Sequence, residues 1–129
     1  MGLGMKNVIN IAVFGLSLNS LEQLKEQILL SLPENLNVRW VNLAEQKIDL
    51  LLVNDVFFNS PGIQKLLTIQ NIVYLRLVKK VENAGHIVGD QLFYPFSNIE
   101  HLHDWLSRKV VSQHELTAPV KSTLEVIMP

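Results

Sequence analysis

The chain has 129 residues, 48% of them apolar and 18% charged, no cysteine, and a formal net charge of −1. A single domain of this size buries a core without staples, and its apolar content excludes disorder over most of the length. Disulfides, thiolate metal sites and thiol nucleophiles are excluded, and the balance of 11 basic against 12 acidic side chains leaves no basic footprint for nucleic acid.

Residues 1–6 read as a flexible start. Residues 8–15 (VINIAVFG) form a β-branched run closed by Gly15, which predicts a buried strand. Asn19 and Ser20 offer N-caps for a following helix, with Leu21, Leu24, Ile28 and Leu32 at helical spacing. Pro33 stops it, because the residue before a proline is pushed out of the α region. Residues 37–43 predict a second strand. Residues 48–53 (IDLLLV) are apolar apart from Asp49, as suits a central parallel strand covered on both faces. Ser60 and Pro61 then start a helix in the favoured order of cap and first-turn proline, with Ile63, Leu66 and Leu67 on its apolar side.

Residues 72–78 predict a fourth strand, residues 79–90 a polar connection, and residues 91–96 a short fifth strand. Ser97 and Glu100 form a capping-box pattern ahead of a last helix whose stripe is Ile99, Leu102, Trp105, Leu106 and Val110. Strands alternating with helices predict an α/β fold: one doubly wound, mainly parallel five-stranded sheet in the order 2-1-3-4-5. The short connections at 44–47 and 79–90 leave no length for full second and fourth helices. The domain is expected over residues 7–111. Residues 112–119 read as a linker. Beyond them Val120, Leu124, Val126 and Met128 alternate at period two. Two readings of this tail stand: an edge or exchanged strand, and a frayed terminus or the start of a further domain.

Residues 89–106 (GDQLFYPFSNIEHLHDWL) resemble the end of a bacterial response-regulator receiver domain, with Pro95 and Phe96 matching the family's Pro-Phe pair and Ser97, Ile99, Glu100 and Leu102 fitting its last helix. Residues 49–61 (DLLLVNDVFFNSP) resemble its third strand and phosphoacceptor loop. The resemblance implies a flavodoxin-like fold and a signalling role. It also implies a switch site, and there the chain departs from the family. No acid pair for Mg²⁺ follows the first strand, where Val13, Phe14, Gly15 and Leu16 stand. Asn54 occupies the phosphoacceptor position, and an amide cannot form an acyl phosphate. Asp55, one residue on, points to the opposite face of a strand. Leu75, Arg76 and Leu77 replace the family's hydroxyl residue, and Tyr94 replaces its Lys before the proline. The degenerate phosphoacceptor region therefore comprises Gly15, Asn54, Asp55, Arg76, Tyr94 and Pro95.

These readings lead to a non-phosphorylatable, receiver-like interaction module that docks on a protein partner or on a second copy as a homodimer. The candidate contacts are Phe57, Phe58, Tyr94, Phe96, Val120, Leu124, Val126 and Met128. For Phe57 and Phe58, a place in the core over the sheet end stands beside that reading. A small-ligand sensor with a pocket above Gly15, Asn54 and Tyr94, and a receiver fragment whose output domain follows residue 129, are the alternatives. No nucleophile or acid–base set predicts catalysis, and no metal or cofactor is expected. His86, His101, His103 and His114 read as solvated. No membrane span, no nucleic-acid contact and a cytoplasmic location are expected.

Overall fold

The structure, a computed structural model, describes residues 7–34, 36–45 and 47–111. It is a mixed α/β fold around one mostly parallel sheet. The strands are β1 (Asn7–Phe14), β2 (Leu36–Val41), β3 (Leu50–Asn54), β4 (Val73–Lys79), β5 (Ile87–Val88) and β6 (Gln91–Tyr94). The helices are α1 (Leu18–Leu30), α2 (Pro61–Ile69) and α3 (Leu102–Trp105), the last continued as a π-helix over Leu106–Val111. The termini, with the tail strand positions Val120, Leu124, Val126 and Met128, lie outside the described residues.

Among the described residues the sheet has six strands in the order β2-β1-β3-β4-β6-β5, not five in the order 2-1-3-4-5. The additional strand lies in the connection expected to be polar loop. Ile87 and Val88 pair antiparallel with Leu92 and Gln91, while every other pairing is parallel. Two residues are too few to show a period, so this strand left no pattern to read. In the same connection, a 3₁₀ turn at Val81–Asn83 stands where a fourth helix was expected to be short or absent. Between β2 and β3 no helix forms among the described residues.

Alternation along the strands divides the core into two layers. Face one carries Ile9, Ile11, Leu50, Leu52, Leu75, Leu77 and Leu92, covered by Leu24 and Ile28 of α1 and by Leu102, Trp105, Leu106 and Val110 beyond β6. Face two carries Ala12, Leu51 and Val53, covered by Ile63, Leu66 and Leu67 of α2. Leu50 through Val53 are all buried, because β3 lies at the centre and is covered on both sides. Asp49, the one polar residue of that run, takes the Asn10 backbone N–H on its carboxylate at 2.7 Å, while its own N–H donates to the Asn10 carbonyl at 2.8 Å.

Two helix starts differ from the sequence expectation. Ser17, not Asn19 or Ser20, caps α1: it has extended dihedrals and its hydroxyl accepts from the Ser20 N–H. The Ser97–Glu100 capping box does not form. The Gln27 amide of α1 donates to the Ser97 carbonyl and accepts from the Ile99 N–H, and the Glu100 N–H donates to the Gly85 carbonyl. With those groups held by other elements, α3 begins only at Leu102, after His101 in the left-handed region.

Candidate functional site

The C-terminal ends of β1, β3, β4 and β6 meet above α1, the place where open α/β sheets hold ligands. The chain leaves β1 through Gly15, at φ +90°. A Cβ there would lie 2.6 Å from the Phe57 ring and 2.9 Å from Asn54 Cβ. Position 15 therefore needs glycine for its backbone and for the close approach of the β3 loop. Asn54, half-buried at the end of β3, makes use of that approach. Its amide nitrogen donates to the Gly15 carbonyl at 2.9 Å and reaches the Tyr94 hydroxyl at 3.5 Å. Its amide oxygen accepts from the Val56 N–H at 3.1 Å and caps the 3₁₀ turn Asp55–Phe57. Tyr94 stacks on Phe96, ring centroids 4.6 Å apart, ahead of the cis Tyr94–Pro95 bond.

The residues grouped by the sequence reading divide between the two faces. Gly15, Asn54, Tyr94 and Pro95 come together; Asp55 and Arg76 lie on the other side of the sheet. Arg76 stands beside Val53 in the register, on face two, and its guanidinium sits over the Phe58 ring at 5.1 Å. It binds Asp90 with two nitrogens, at 2.8 and 3.2 Å, and Asp55 at 3.2 Å. The hydrogen bond to Asp90 raises the Arg76 pKa further above its ordinary value, burial opposes this, and the charges of Asp90 and Asp55 add to it. Arg76 is therefore a clamp between a β3 loop and the β5–β6 turn, not part of the Asn54 site. Phe96 is a correction of another kind: it is 1% exposed, in the core, and offers no contact surface. Phe58 packs half-buried on Tyr74, while Phe57 stays 42% exposed, edge-on to Phe14.

Sequence reasoning missed one member of this end of the sheet. Lys79 closes β4 and pairs in register with Tyr94. It lines, with Ser17, Ser20, Asn54, Tyr94 and Pro95, a cavity of about 450 Å³. The signal was present in the parity of Val73, Leu75, Leu77 and Lys79, which share one face; the expected strand ended one residue too early to use it. Among the described residues, no group of three His, Asp or Glu side chains is placed to hold a metal ion. No helix of those residues is long and apolar enough to cross a membrane.

No protein-family model, no curated protein and no solved structure matches the chain. The likeness to receiver domains thus rests on the residues quoted above.

Proposed function

We propose that the chain is a receiver-like regulatory module of bacterial signalling that lacks the phosphorylation switch and acts in the cytoplasm by binding a protein partner or a second copy. The observation that carries this reading is the use made of Asn54. The residue at the phosphoacceptor position spends its amide on the Gly15 carbonyl, the Tyr94 hydroxyl and the Val56 N–H. It ties three chain segments together at the position where the family carries its phosphoacceptor. Asp55, the next residue in the chain, is turned away and held by Arg76. Both features support a module that works without an acyl phosphate at β3.

Intact-mass spectrometry after incubation with Mg²⁺ and acetyl phosphate tests this directly. No adduct is expected. A phosphoryl adduct that disappears in Asp55→Asn would sink the proposal, because Asp55 would then have to leave Arg76 and act as acceptor.

A second reading is favoured by the 450 Å³ cavity, which is in the size range of small-molecule sites and has Lys79 at its rim. A small anion binding there would raise the melting temperature of the wild type and not of Lys79→Gln. Inorganic phosphate and sulfate at matched ionic strength are the probes.

A further inference from the structure

Among the described residues, face two is open beside the β2–β3 connection, where no helix forms. There β1, the 42–45 segment and α2 enclose a groove of about 360 Å³ walled by Phe14, Leu43, Gly62, Lys65, Leu66 and Ile69. Three observations define what fits it. Gly62, Lys65, Leu66 and Ile69, at i, i+3, i+4 and i+7, form a stripe along the α2 wall beside the buried Ile63 and the cap residue Ser60, and Ile69 in it is 69% exposed. Such a stripe is the surface on which a second helix packs. Gly62 lies in the same stripe, with nothing within 4 Å of where its Cβ would be and no positive φ to require glycine. The groove wall thus carries no side chain at that point, which leaves room for another backbone to approach. Finally, Lys65 is the one charge in the groove wall, α2 contains no acid, and Lys65 makes no ion pair among the described residues.

We propose that this groove receives an amphipathic helix of a partner protein, with large aliphatic side chains at i, i+3 or i+4, and i+7, and a carboxylate placed to meet Lys65. The helix would take the position that a β2–β3 crossover helix fills in a sheet covered on both sides. This inference rests on the interaction-module reading and adds to it the location and chemistry of the partner.

The test is fluorescence anisotropy with the full chain and a labelled helical peptide carrying leucines at that spacing, flanked by glutamates. The wild type is expected to bind it with micromolar affinity. Gly62→Phe places a ring into open space and is expected to weaken binding about tenfold or more. Lys65→Glu is expected to weaken it about tenfold, with recovery when lysines replace the glutamates of the peptide, since opposed charges reject a wrong partner. Circular dichroism confirms that both exposed-site variants fold. The inference is overturned if the wild type does not bind, if Gly62→Phe binds equally well, or if dodecanoate occupies the groove and the peptide does not. A phosphoryl adduct with peptide binding intact removes only the earlier reading; failed peptide binding without an adduct removes only this one.

Discussion

The two faces of the sheet are built from the same strands and are covered to different degrees. Face one is covered by α1 and by the helix that follows β6, and Ile9, Ile11, Leu50, Leu52, Leu75, Leu77 and Leu92 are nearly inaccessible, with Val13, Val38, Trp40 and Val73 half-buried around them. Face two has α2 alone over its centre. On one flank, Val8 and Phe14 are 44% and 37% exposed; on the other, Val88 is 57% exposed. What replaces a missing helix on the second flank is polar: Arg76 lies over Phe58 and ties Asp55 to Asp90. The comparison teaches that the two faces of a parallel sheet need not be covered to the same extent. The second can be divided between a central helix, a charged clamp and open surface.

Substitutions on the two faces should therefore differ in a definite order. Leu75→Ala, on face one under the helical cover, is expected to cost about 3–5 kcal/mol in urea unfolding, as a buried leucine that leaves a cavity does. A loss under about 1 kcal/mol would mean that face one is not the tight layer described here. Arg76→Met keeps the aliphatic stem and removes the clamp. Its expected cost is about 1–2 kcal/mol at low salt, since charge-assisted bonds at a partly exposed site are worth no more, and the difference should shrink in 1 M salt. The raised pKa means that Arg76 itself loses its charge, and with it this contribution, only as the pH rises into extreme alkali. A cost that is insensitive to salt would assign the effect to packing on Phe58 instead.

Asn54→Ala is expected to cost about 1 kcal/mol, the usual price of a lost cap with its partner carbonyl left to water. Two-dimensional NMR should place the largest shift changes at Gly15, Val56 and Tyr94. Changes centred on α2 instead would separate Asn54 from the latch assigned to it. The smallest effect is expected of Val8→Ala on the bare flank of face two, below about 0.5 kcal/mol. A cost comparable to Leu75→Ala would show that something covers this flank in solution, and the contrast between faces would disappear.

Much of this arrangement was legible in the residues. β3 stood out because a central parallel strand is apolar on both sides, and the opposite directions of Asn54 and Asp55 followed from the period of a strand. Less legible were features that depend on groups far apart in the chain. The bond from Arg76 to Asp90 spans 14 positions and exists only because the β5–β6 turn folds back. The late start of α3 is set by Gln27, 70 or more positions away from the groups it holds. Local capping rules do not include such competitors. Phe96 was misread for a related reason: the aromatic stretch before the last helix gives no hint of which ring stacks outward and which is enclosed.

The antiparallel β5 bears on how these molecules meet one another at high concentration. An open sheet edge is a row of unpaired N–H and C=O groups that can template another chain. On the β6 side, that row has been shortened to Ile87 and Val88, too little for a foreign strand to grip. On the opposite side, β2 is the edge among the described residues and has six residues, with charged Arg39 in the middle of the row. Among the described residues the longer free border is thus the one guarded by a charge, and replacing Arg39 by an aliphatic residue is expected to raise the tendency to aggregate.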